Sequence, residues 1–170
     1  AEEPGASFLS VWRGDITTLR ADAVVNAANA SLLGCFVPGH GCIDNVIHTY
    51  AGVQLRLECD ALMRRQGHEE PTGGAKITGA YNLPSRHVVH TVGPIVADRP
   101  TRRDCALLAD CYRSCLELAR SHRLASIAFC CISTGEFRFP QQEAAEIAVE
   151  TVRGFLREHG AGMRVIFDVF

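Results

Sequence analysis

The sequence predicts an α/β sandwich, one sheet with helices on both faces. Three observations predict it: six short apolar or β-branched runs of strand length, three longer segments with helical period, and an order that alternates the two. The chain has 170 residues, of which 47% are hydrophobic, and a net charge of -2, enough apolar mass for one core. No basic run exceeds the pairs Arg64-Arg65 and Arg102-Arg103, which gives no electrostatic reason for nonspecific nucleic-acid binding. No apolar run approaches the roughly 20 residues of a membrane span, so no membrane association is expected. Residues 1–7 are acidic rather than signal-like and read as a linker or trimmed end, with room for a neighbouring domain, and the domain itself is expected over 8–170. The eight cysteines accompany a full set of other core residues, so reduced thiols and a cytoplasmic setting are expected.

Taken in order, Phe8 to Trp12 is the first strand, and Gly14-Asp15-Ile16-Thr17 follows it. Ala23 to Asn26 is the second, too short for a helix and rich in valine. Ile43 to Gln66 carries Ile43, Ile47, Ala51, Leu55 and Leu62 on one side of a helix. The strands Ala75 to Ala80 and His87 to Val92 lie close enough in sequence to pair antiparallel, which would make the sheet mixed. Asp104 to His122 repeats Leu108, Cys111, Cys115 and Leu118 at helical spacing. Ser126 to Ile132 is a buried strand, Gln141 to His159 a helix through Ala144, Ile147, Ala148, Val152 and Phe155, and Met163 to Val169 the last strand. The segments Arg65 to Gly74 and Asp98 to Arg103 read as surface loops.

Four clusters carry chemistry. The loop Gly34 to Asn45 holds Cys35, His40, Cys42 and Asp44. Thiolate and imidazole are preferred zinc ligands, and three protein ligands with an open fourth position is a catalytic arrangement. The spacing C-x4-H-x-C is not a common finger pattern, and it suits equally a loop with two half-buried thiols. Asp44 stands within reach as a partner or base, and the loop runs into a helix whose free amides favour anions. Asp15 at the end of the first strand either meets a ligand or caps a turn. Asn26 and Asn29, at the exit of the second strand, either face sugar hydroxyls or satisfy loop backbone. Ser133, Thr134, Gly135, Glu136 and Phe137 follow another buried strand and can aim amides and hydroxyls at a phosphate, with Phe137 and Phe139 as apolar walls. The remaining cysteines, Cys59, Cys105, Cys111, Cys115, Cys130 and Cys131, read as core packing, and His48, His87 and His90 as structural histidines, with His48 and His90 as outside candidates for a fourth ligand.

In combination, Gly14-Asp15-Ile16-Thr17, Val25-Asn26-Ala27-Ala28-Asn29, Ile43 to Gly52, Val92-Gly93-Pro94 and Ser133-Thr134-Gly135 through Phe139-Pro140 resemble the macrodomain family. Where most macrodomain hydrolases carry a glycine run before the helix, this chain has Cys35 to Cys42, as in the zinc-dependent microbial macrodomains. The resemblance implies a three-layer α/β/α sandwich with a mixed central sheet, an ADP-ribose cleft across the strand ends, and zinc-dependent hydrolysis of mono-ADP-ribose from protein side chains. It places Asp15 and Ile16 at the adenine, Asn29 at the distal ribose with Asn26 bracing that loop, and Ser133 to Phe137 around the diphosphate. It also places Zn2+ on Cys35, His40 and Cys42, and Asp44 and Asn29 as catalytic residues. Implied partners are ADP-ribose or a mono-ADP-ribosylated protein and an ADP-ribosyltransferase. A non-catalytic ADP-ribose reader, an O-acetyl-ADP-ribose deacetylase and a purely structural zinc site remain open alternatives.

Overall fold

In the computed structural model, which describes residues 8–160 and 162–169, all six expected strands are present: β1 (Leu9–Trp12), β2 (Ala23–Ala28), β3 (Ala75–Gly79), β4 (His87–Val92), β5 (Ser126–Phe129) and β6 (Arg164–Asp168). The helices are α1 (Ile43–Ala51), α2 (Val53–Gln66), α3 (Arg102–Ser121) and α4 (Gln141–His159). The expectation for residues 1–7 lies outside the described residues. One sheet takes the order β1-β6-β5-β2-β4-β3, parallel throughout except for β3, which pairs antiparallel with β4 at the edge. This is a three-layer α/β/α sandwich with a mixed sheet. Helices α3 and α4 pack on each other, α3 crosses β3, β4 and β5, and α1 and α2 pack on β2 and β3. Nearly every residue of β2 and β4 is buried, so both faces of these central strands are covered. Among the described residues no helix is long and apolar enough to cross a membrane.

The single helix expected over Ile43 to Gln66 is two. Gly52 sits between α1 and α2 with φ of 93°, where a β-carbon would also come within 2.8 Å of the Asn82 side chain. The break leaves the apolar stripe intact, because Ile47, Ala51, Leu55 and Cys59 are all buried across it. Helix α3 begins two residues before the expected Asp104. Its start is set by a capping box in which Thr101 Oγ1 accepts from the Asp104 N–H (3.1 Å) and Asp104 Oδ2 accepts from the Thr101 N–H (2.8 Å). Strand β5 ends at Phe129, not Ile132, since its partner β6 offers no register beyond Phe167 and the chain turns away. Cys131 is consequently exposed and Cys105 half-buried, contrary to their expected place in the core, which Cys59, Cys111, Cys115 and Cys130 do occupy.

A polar cluster lies buried between the sheet and α1–α2. Asn26 on β2 faces His90 on β4 in register, and its Nδ2 donates to Asp44 Oδ1 at 2.8 Å and lies 3.1 Å from His90 Nδ1. His90 Nε2 is 3.0 Å from Thr78 Oγ1 and 3.7 Å from Cys59 Sγ, and His48 Nε2 is 3.6 Å from Asp44 Oδ1. Burial drives both imidazoles toward the neutral form, His48 down to about 4 and His90 down to about 3; Arg56 adds to the first and His48 to the second.

Two measurements test this packing. Leu116 on α3 is fully buried, and Leu116→Ala should lower the unfolding free energy by about 2–5 kcal/mol in urea titrations; a loss under about 1 kcal/mol would place it outside the core. The two buried histidines contribute to the acid side of the stability profile. Their pKa values are depressed in the fold, so their contribution is complete above the ordinary value of 6.5 and is lost as pH falls toward 4 for His48 and 3 for His90. Unfolding free energy should fall by up to about 1.4 kcal/mol per pH unit for each imidazole in that window. His90→Gln should flatten the slope relative to the parent protein, in which the raised pKa values of Asp44 and Asp168 act in the opposite sense; an unchanged slope would mean that His90 carries no depressed pKa.

Candidate functional site

The five parallel strands all point their C-terminal ends at one edge of the sheet, and a cleft of about 860 Å³ opens there. That volume lies in the range of small-molecule sites. Its walls come from the segments after β1 (Gly14, Asp15, Ile16), β2 (Asn29), β4 (Gly93) and β5 (Cys130 to Phe137 in part), with Asp168 at the end of β6 and the loop and first turns of α1.

At the β1 end, Asp15 Oδ1 accepts from the Thr17 N–H (2.9 Å) and the Thr17 hydroxyl (2.6 Å), capping the 3-10 turn Ile16–Thr18. The capping role and a place on the cleft wall therefore coexist in one residue. Asn29 likewise combines two roles. It lines the cleft, while Nδ2 donates to Gly34 O (3.1 Å) and Oδ1 accepts from the Ser31 N–H (3.1 Å) and hydroxyl (2.6 Å).

Gly34 opens the thiol-bearing loop with φ of 90°, and a β-carbon there would lie 2.9 Å from the His48 ring. Cys35, His40 and Cys42 then converge, one ligand atom from each lying within 4.8 Å of the others, with Cys35 Sγ 3.6 Å from His40 Nδ1. Cys42 also caps α1, its sulfur accepting from the Asn45 N–H at 3.4 Å. The Asn45 side chain donates to Cys35 O (3.2 Å) and Val37 O (3.0 Å), clamping the loop onto the helix start. Burial, and the neighbouring Cys35, push the Cys42 thiol up. A divalent cation would reverse that pressure by favouring thiolate, so the donor set and its spacing fit zinc. His48 stands apart from this group, clustering instead with Cys59 and His90 in the core.

Asp44, in the first turn of α1, is almost wholly buried yet reaches the cleft. Burial raises its pKa against the opposing pull of the Asn26 amide and Arg56. Across the cleft, the loop after β5 is held by Phe139 N–H to Ser133 O (2.9 Å), Arg138 N–H to Gly135 O (3.0 Å) and Val96 N–H to Phe137 O (2.9 Å). Ser133 adopts φ of 64°, and its buried hydroxyl has no partner in the protein. A side chain with free polar capacity in a left-handed conformation is the kind of strain that accompanies ligand sites. From this loop Glu136 Oε1 reaches His40 Nε2 at 3.2 Å.

The structure thus gathers Asp15, Ile16, Asn29, Cys35, His40, Cys42, Asp44 and Ser133 to Phe137 on one cleft. Two expectations need correction. Asn26 is fully buried behind the wall and holds Asp44 rather than the Asn29 loop, because β2 turns that position toward α1. Phe139 is 2% exposed and belongs to the core, so that of the two expected phenylalanine walls Phe137 alone lies on the cleft. Asp168, Cys131, Val46 and Tyr50 line the cleft and were not anticipated. The signal for Asp168 was present, an acidic residue closing an apolar strand at the edge where ligands gather. Burial pushes its carboxyl up to about 6; Asp15 contributes, and the Gly14 amide opposes.

Comparison with known proteins agrees with this geometry. The chain is 61% identical over 160 residues to a protein-ADP-ribose hydrolase of Treponema medium, which covers 94% of this chain and 61% of the relative. It is 56% identical over 161 residues to a protein-ADP-ribose hydrolase of Staphylococcus aureus, covering 94% and 60%. The chain therefore spans about three fifths of the length of these curated relatives. A solved structure of the Oceanobacillus iheyensis macrodomain with ADP superposes with a TM-score of 0.84 at 42% identity, over 95% of this chain and 82% of that one. The Macro domain family model matches residues 25–148, most of the length, and the protein belongs to the macrodomain family.

Proposed function

We propose that this domain is a zinc-dependent hydrolase that removes mono-ADP-ribose from modified protein side chains. The observation that carries the reading is the convergence of Cys35, His40 and Cys42 at the mouth of a cleft built from strand-end loops. Support comes from relatives named protein-ADP-ribose hydrolase and from an ADP-bound macrodomain of closely similar fold.

In this reading Asp15 and the Ile16 backbone receive the adenine, and Ser133 to Phe137 wrap the diphosphate with amides and the free Ser133 hydroxyl. Asn29 faces the distal ribose, and Asn26 acts indirectly by fixing Asp44. Cys35, His40 and Cys42 would hold zinc, which when bound supplies Lewis acidity toward an oxygen of substrate or water. Asp44 presents its buried carboxyl beside that loop to orient the reacting oxygen. Water adds across the linkage, giving ADP-ribose and the unmodified side chain, so no redox cofactor is needed. Acidic side chains are the proposed attachment points, because an ester has the better leaving group. The partners that follow are a mono-ADP-ribosylated protein and the ADP-ribosyltransferase that modifies it, in a cytoplasmic setting that keeps the thiols reduced.

The test is release of ADP-ribose from mono-ADP-ribosylated protein by untreated enzyme, chelated enzyme and chelated enzyme given zinc, with folding of the stripped protein checked by circular dichroism. Loss and rescue of turnover are expected. Tight ADP-ribose binding with no release from acidic, arginine or serine linkages would make the domain a reader, and cleavage of O-acetyl-ADP-ribose alone would make it a metabolite deacetylase. Cys42→Ala should lower both zinc content and turnover, the latter by about 100-fold or more; full retention of both would remove Cys42 from the ligand set. Asp44→Asn should keep zinc and lower kcat by roughly 100-fold, and an unaltered kcat would deny Asp44 its role.

A further inference from the structure

His40 is contacted on both ring nitrogens. Nδ1 lies 3.6 Å from Cys35 Sγ, within the candidate metal group, while Nε2 lies 3.2 Å from Glu136 Oε1 on the opposite wall of the cleft. The two residues are 96 positions apart in sequence. A neutral imidazole offers one lone pair and one N–H, and it can bind a metal only through the nitrogen without the proton. A carboxylate on the other nitrogen fixes that tautomer, holds the ring plane and makes the ligand more basic. Glu136 is placed to do this, with the lone pair of Nδ1 directed to the side of the two thiols.

The Glu136 side chain is 71% exposed, and an exposed pair of this kind contributes little to fold stability. Its significance lies in what it joins. His40 belongs to the loop that ends at the α1 cap, and Glu136 to the loop from Ser133 to Phe137, whose other turns are closed by its own backbone bonds and by Val96. The His40–Glu136 contact therefore joins the two walls across the cleft.

We propose that Glu136 is a positioning residue that couples metal occupancy to the binding of a nucleoside diphosphate, rather than a direct contact of the phosphates. The inference rests on the metal reading proposed above. A cation held by His40 on the side of the thiols would make the Nε2–H a stronger donor and keep the Glu136 carboxylate on the imidazole. That keeps a negative charge back from the diphosphate and fixes the loop that receives it. Without the cation the Nε2–H would be a weaker donor, and the exposed carboxylate would be held less firmly away from the phosphates. The coupling is reciprocal, so the diphosphate must tighten metal binding by the same factor by which the metal tightens diphosphate binding.

ADP is the discriminating probe, because it has the diphosphate and lacks the distal ribose that a metal could touch directly. Zinc affinity by chelator competition and ADP affinity by calorimetry, each with and without the other ligand, should be measured for the parent protein, Glu136→Ala and Glu136→Gln. Thermal unfolding of the zinc-free proteins checks that all three are folded. In the parent, zinc should tighten ADP about 5-fold or more. Glu136→Ala should bind zinc about 10- to 100-fold more weakly and show ADP binding indifferent to zinc. Glu136→Gln retains an acceptor oxygen without the charge and should fall between. Equal zinc affinity in the parent and Glu136→Ala, or zinc-independent ADP binding in the parent, overturns the proposal while the metal site stands. Failure of the parent to take up zinc overturns both.

Discussion

The 2.8 Å hydrogen bond from Asn26 Nδ2 to Asp44 Oδ1 fixes the first turn of α1 to the central strand, and the geometry of the cleft depends on it. Both partners are removed from water, so the bond is expensive to leave unmade. From that anchor the rest follows along a short path. Asp44 is two residues from Cys42, whose sulfur caps the helix, and Asn45 clamps the carbonyls of Cys35 and Val37. His48, one turn on, fills the space that forces residue 34 to be glycine. A loop with no regular structure is thereby held by one helix terminus, with the helix itself held by the sheet.

Much of the fold was legible because buried parallel strands and amphipathic helices leave periodic signatures. The strand Ala23 to Ala28 is readable as a largely apolar run for the same reason that it is central, since nearly all of it is buried; His87 to Val92 is buried as thoroughly, yet alternates valines with His90 and Thr91. The break at Gly52 was not legible from periodicity, since Ile47, Ala51 and Leu55 maintain the stripe through the interruption. The positive φ at Gly52 and the close approach of the Asn82 side chain distinguish it from a glycine tolerated within a helix.

The candidate site was legible to the extent that its residues sit together in sequence. Cys35, His40 and Cys42 share one loop, and Ser133 to Phe137 another. What required the structure was which face of a strand a residue occupies and which segments meet across the cleft. Asn26 and Asn29 look alike in sequence, yet one lies behind the wall and the other on it. The contact of His40 with Glu136 bridges 96 positions and leaves no local pattern. Asp168 and Cys131 reach the cleft only because β5 and β6 end side by side.

The common direction of the five parallel strands also gives the domain a polarity. Leu9 enters β1 at the edge remote from the cleft, whereas Val169 leaves β6 beside Asp168, on the cleft wall. The chain thus enters β1 on the side away from the cleft and leaves β6 beside it. A reporter or affinity handle is therefore better joined ahead of β1, where the described chain enters remote from the cleft, than after β6, where it leaves beside it.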